Sequence, residues 1–130
     1  MAKLPWENAE PAILDGLQRL TTEGGVSNFM IVSAGEVYVQ FAGSRGTRRV
    51  QCETIGNDFL NAKRKLAPER IDQLEKLHFD LQDEPPNFAR DFEVETAGQA
   101  SELARLTLTI LEEIYGCART SPLEIELTLE

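Results

Sequence analysis

One histidine and two cysteines among 130 residues exclude several kinds of chemistry before any motif is sought. A histidine-dependent triad or a His-rich metal site would have to use His78, which follows an apolar helical pattern beside Phe79 and reads as a partly exposed packing residue. Cys52 and Cys117 lie far apart and form no CxxC pair, so they read as reduced core residues of a cytoplasmic protein. Long apolar runs are missing too. The opening MAKLPWENAEPAILDGL meets acidic residues before any hydrophobic stretch forms, which predicts neither a secretory signal nor a membrane span.

Other motifs fail on spacing. Gly43-Ser44-Arg45-Gly46 joins two strand patterns and lacks a following Lys-Ser or Lys-Thr, so it reads as a hairpin turn and not a phosphate cradle. Asp80, Asp83 and Glu84 lack the alternating ligands, turn glycine and final glutamate of a calcium loop. Ser33, Ser44, Ser101 and Ser121 lack a nucleophile-elbow context, and Cys117 follows a helix C-terminus, the wrong dipole end for a thiolate. The expectation is a non-enzymatic protein with no cofactor and no metal.

What is present fits one compact domain spanning 1–130, with 42% hydrophobic and 27% charged residues despite a net charge of −9. Charge is uneven. From Arg45 to Lys65 six bases meet only Glu53 and Asp58, whereas from Leu66 onward fifteen acids meet five bases. Most of the surface would repel phosphate, so nucleic acid is not an expected partner. The basic stretch reads either as solvated turn and helix residues or as a contact for an acidic polypeptide.

The stretch Asn28 to Thr54 organises the chain. It reads as an antiparallel meander of FMIVS, EVYVQFA and TRRVQCET, broken at Ala34-Gly35 and at Gly43-Ser44-Arg45-Gly46. Setting Ser33 opposite Glu36 fixes the register and puts Met30, Val32, Val37, Val39, Phe41, Val50 and Cys52 on a core face. The other face carries Phe29, Ile31, Tyr38, Gln40, Arg49 and Gln51, too polar for a core and too apolar for an ordinary wet surface.

Around the meander, Pro11 predicts the first residue of a helix with Ile13, Leu14, Leu17 and Leu20 on one face, ended by Gly24-Gly25. Trp6, before it, reads as a staple for the terminus. Asn57 predicts the cap of a second helix reaching about Leu66, and Pro68 starts a further segment presenting Ile71, Leu74 and Leu77. In HFDLQDEPPNFAR, Phe79, Leu81 and Phe88 are expected to pin a loop to the core. DFEVE predicts a strand, Thr96 with Gln99 a capping box, and Ala100, Leu103, Thr107, Ile110, Leu111 and Ile114 the buried face of a long helix closed by Gly116. A final strand places Leu123, Ile125, Leu127 and Leu129 opposite Glu124, Glu126, Thr128 and Glu130. The fold class is α+β: N-terminal helix, three-stranded antiparallel meander, helices, a further strand, a long helix and a C-terminal strand.

Val37-Tyr38-Val39-Gln40-Phe41, Glu53 with Asn57-Asp58-Phe59-Leu60, the leucine helix ending at Leu77, Pro86-Asn87-Phe88 and Ile114-Tyr115-Gly116 together resemble a known family. The resemblance is to the type III secretion chaperone-like fold and, within it, to the bacterial YbjN-like and TY-Chap families. Where such families place Leu-Gly-Trp, this chain has Leu77-His78-Phe79, and its final strand is an addition to the secretion-chaperone order. The resemblance implies a cytoplasmic, non-enzymatic protein that binds a partner polypeptide, often as a homodimer.

The expected site is the outer meander face, with Phe29, Ile31 and Tyr38 as anchors, Gln40 and Gln51 as polar contacts, and the hairpin of Arg45, Arg48 and Arg49 steering an acidic segment. A helix or a second copy covering that face as ordinary core is the plain alternative. Two other functions fit the same composition: a toxin-neutralising immunity protein and a small-ligand regulatory domain.

Overall fold

A computed structural model describes residues 2–130. Seven strands make one antiparallel sheet in the order β1-β7-β2-β3-β4-β6-β5. They are β1 Ala2–Leu4, β2 Asn28–Ala34, β3 Val37–Gly43, β4 Arg49–Thr54, β5 Asp80–Leu81, β6 Phe88–Glu93 and β7 Leu123–Thr128. Helices α1 (Trp6–Thr22) and α3 (Ala97–Thr109) pack against each other and onto the sheet, while α2 (Pro68–Lys76) packs on the end of α3. They cover the face predicted to be core. Met30, Val32, Val37, Val39, Phe41, Val50 and Cys52 are all buried there.

The meander forms as its alternation dictates, with one correction of register. Ser33 pairs with Tyr38 and Ala34 with Val37, not Ser33 with Glu36. The two turn residues are Gly35 and Glu36, and only Gly35 takes a positive φ, of 63°. This is the φ pattern of a II′ hairpin turn, whose first central residue is best glycine. The difference is a slip of two residues, so both faces keep their predicted membership. The C-terminal strand pairs within the chain: β7 lies antiparallel to β2, with Ile125 opposite Val32 and Leu127 opposite Met30.

Helix α1 starts at Trp6, earlier than predicted, and Pro11 lies inside it. The first turn is held from outside the helix: Trp6 is buried and its indole Nε1 donates to the Ser121 carbonyl at 2.8 Å, the staple expected of it. Pro11 lies past the first turn, so the helix forgoes the bond that an N–H there would make to the Glu7 carbonyl. Gly16 faces the Met30 thioether, and a Cβ there would collide with the sulfur. That contact sets how closely α1 approaches β2.

The second predicted helix is absent, replaced by one 3-10 turn at Asn57–Phe59. Asn57 instead clamps the following loop, accepting from the Leu66 amide (2.7 Å) and donating to its carbonyl (3.1 Å). These bonds compete with capping for the same side chain. Phe79 and Phe88 pin the next loop as expected, but Leu81 is 60% exposed because it sits on the two-residue edge strand β5. Strand β6 starts at Phe88, three residues ahead of the predicted DFEVE, because Phe88 and Ala89 already pair with Thr54 and Glu53. The capping box of α3 is formed by Thr96 and Gln99. Beyond Thr109 the helix continues as a π-helical stretch, Ile110–Ile114, closed by Gly116 at φ 70°. The wider turn carries Tyr115 inward, where its hydroxyl donates to the Ile55 carbonyl at 2.6 Å.

Candidate functional site

The sheet face opposite the helices is built row by row from the strand register. One row runs Thr128, Phe29, Ala42, Gln51, Asp91 across β7, β2, β3, β4 and β6. The next runs Glu126, Ile31, Gln40, Glu53, Ala89, Asp80 and reaches β5. Alternation puts their side chains on the side away from the buried face. Phe29 is 36% exposed and Ile31 half-buried. Ala42 is the smallest side chain between Phe29 and Gln51 and leaves a dent. Two adjoining depressions share these three residues: one of about 480 Å³ reaches Val26, Ser44, Thr47 and Arg49, and one of about 280 Å³ reaches Ile31, Gln40 and Glu53.

At the β5 and β6 side, a hydrogen-bond network fixes the floor. Gln40 Nε2 donates to Glu53 Oε2 at 2.7 Å. Asn87, itself buried, donates to the Tyr38 hydroxyl at 3.1 Å and reaches the same Glu53 oxygen at 3.5 Å. Its Oδ1 accepts from the Gly56 amide at 2.9 Å, and Gly56 lies so close to the Pro86 carbonyl that a Cβ would strike it. The sequence fragments Tyr38-Val39-Gln40, Glu53 and Pro86-Asn87 thus meet at one place. Network and depressions share Gln40 and Glu53.

The predicted site residues divide accordingly. Phe29, Ile31, Gln40 and Gln51 are brought together around Ala42, and Arg49 borders them. Tyr38 joins the network and is half-buried, so it supports the floor more than it offers an anchor. The arginine hairpin faces carboxylates of its own molecule. Arg49 pairs with Glu93 at 2.9 Å and Arg48 with Glu95 at 2.8 Å, so their charge is already met by carboxylates of the same molecule. Arg45 is exposed, and its backbone N–H donates to the Gly25 carbonyl. Nor is there one basic patch: Lys63, Arg64 and Lys65 lie beyond the far end of the six-residue strand β4, a span of roughly 20 Å.

Sequence reading missed Ala42, Glu53, Asp91, Glu126 and Asn87 as members of this face. For Ala42 and Glu53 the signal was the parity of the meander strands themselves; for Asp91 and Glu126 it becomes readable only once β6 and β7 are known to flank the meander, and Asn87, just ahead of β6, gave none. Elsewhere the chemistry is muted. Burial pushes the Cys52 thiol far above its ordinary range and raises Cys117, so neither is disposed to be a thiolate. Among the described residues no cluster of three or more His, Cys, Asp or Glu is placed to hold a metal, and no helix is long and apolar enough to cross a membrane.

A family model described as "T3SS (YopN, CesT) and YbjN peptide-binding chaperone 3", TY-Chap3, matches residues 4–128. The chain belongs to the TY-Chap3 family. No curated protein and no solved structure matches it. The TY-Chap3 match spans every element from α1 to β7, so the C-terminal strand is part of the family's domain. Peptide binding is the function in the family's description. On the open sheet face of this chain Phe29, Ile31 and Ala42 lie side by side.

Proposed function

We propose that this TY-Chap3 domain is a cytosolic, non-catalytic chaperone that holds a segment of a partner polypeptide on the open face of its sheet. One observation carries the reading: Phe29, Ile31 and Ala42 form an apolar strip, on adjacent strands, on the face opposite the packed helices. Such a strip supplies area for affinity, and Gln40 and Gln51 beside it supply donors and acceptors that fix the register of a bound chain. Backbone order in β2, β3 and β4 is secured by the core face, so the strip is preorganised and a ligand meets little ordering cost in the protein.

The test is selection of peptides from a random library against the native domain, Ile31→Asp and Ala42→Arg, with thermal melts of all three. Peptides enriched on the native domain are expected to bind both variants at least tenfold more weakly, a loss of about 1.4 kcal/mol. Equal binding by the folded variants refutes the site. Ala42→Arg fills the depression without touching the core, so it remains informative if Ile31→Asp is destabilised.

A further inference from the structure

Charge on the open face is opposite in sign to what the arginine hairpin suggested. Two bases stand on it, and each is matched by a carboxylate of the same face: Arg49 with Glu93 and Lys3, at 4.0 Å, with Glu124. Four further acids on the two central rows, Glu53, Asp80, Asp91 and Glu126, have no basic partner among the described residues. Asp91 and Glu126 stand on opposite sides of the apolar strip. Glu53 sits between them, oriented by Gln40 and Asn87.

Resting on the polypeptide-binding reading above, we propose that the occupant is a cationic segment: an extended chain with apolar side chains seated at Phe29, Ile31 and Ala42 and Lys or Arg side chains meeting Asp91, Glu53 and Glu126. A second copy of this chain is disfavoured as the occupant, because apposing two such faces brings carboxylates against carboxylates. An acidic segment is disfavoured for the same reason, since the charges of Arg48 and Arg49 are each offset by a neighbouring carboxylate, Glu95 and Glu93.

The experiment uses three ten-residue peptides that alternate Leu with Lys, Gln or Glu, titrated onto the full-length domain at low and high salt. The Lys peptide is expected to bind tightest, with about tenfold preference over the Glu peptide from several exposed charge contacts, and to weaken as salt rises. The double variant Asp91→Asn, Glu126→Gln should bring that preference to within about twofold, since each lost contact removes a fraction of a kcal/mol. Binding of all three peptides with equal affinity overturns the charge preference and leaves the polypeptide site standing. Binding of none overturns both. Sedimentation completes the test: a dimer abolished by Ala42→Arg identifies a second copy as the occupant and overturns the proposal.

Discussion

His78 closes α2 in a backbone conformation that disfavours its own side chain. Its φ is 67°, its amide donates to the Glu75 carbonyl at 2.9 Å, and the Phe79 amide donates to the Leu74 carbonyl at 3.0 Å. That pair of bonds is the Schellman ending of a helix, whose left-handed residue is most often glycine. The position is the middle of Leu77-His78-Phe79, where the family resemblance implies Leu-Gly-Trp, so the departure noticed in the sequence has a backbone consequence. A left-handed L-residue costs about 1–2 kcal/mol, partly offset for glycine by its freedom in the unfolded chain. His78→Gly is therefore expected to stabilise the domain by about 1 kcal/mol and raise the melting temperature by several degrees; a lower melting temperature would contradict the capping account. Asn87 makes the opposite case. It is buried and satisfies the Gly56 amide while donating to Tyr38, so Asn87→Ala leaves buried polar groups unpaired. A loss of about 2–3 kcal/mol is expected, measured as a shift of the urea midpoint, and an unchanged midpoint would show that the network contributes nothing.

Among the elements, β7 matters most to the site. It fills the place beside β2 and carries Leu123, Ile125 and Leu127 toward the helices and Glu124 and Glu126 toward the open face. Removing residues 123–130 would bare the β2 edge, an unpaired hydrogen-bonding row flanked by apolar side chains. The shortened chain is expected to self-associate or fail to fold, visible by light scattering and circular dichroism; a folded monomer would show that β7 is dispensable. Strands β2, β3, β4 and β7 and the long helix α3 were legible because each repeats its period over six residues or more. Strands β1 and β5 were not, having three and two residues and hence no period to read. The π-helical turn was equally invisible, because Ile110, Leu111 and Ile114 fit a regular helical face as well. Half of the site was readable, since Phe29, Ile31, Gln40 and Gln51 belong to one local meander. The acidic flank was not, because Asp91 and Glu126 reach it through pairings of residues distant along the chain.

For the whole molecule, two consequences follow from how the core and the open face are divided. Burial raises the Cys52 and Tyr115 pKa values well above their ordinary 9.0 and 10.0. The folded state therefore keeps protons that the unfolded chain releases, so stability is complete below about pH 9 and falls as pH rises beyond it. Melts across pH 7 to pH 10.5 should show that decline, and Cys52→Ala, though less stable overall, should decline less steeply. A flat profile would mean that these groups are not buried as described. The central claim concerns the other side of the sheet, and the most direct measurement is a heteronuclear NMR titration of the domain with the Leu-Lys peptide. The predicted result is a set of shifts centred on Phe29, Ile31, Ala42, Gln51 and Asp91, with the helices little affected. Shifts centred instead on α1 and α3, with the open face silent, would contradict the account.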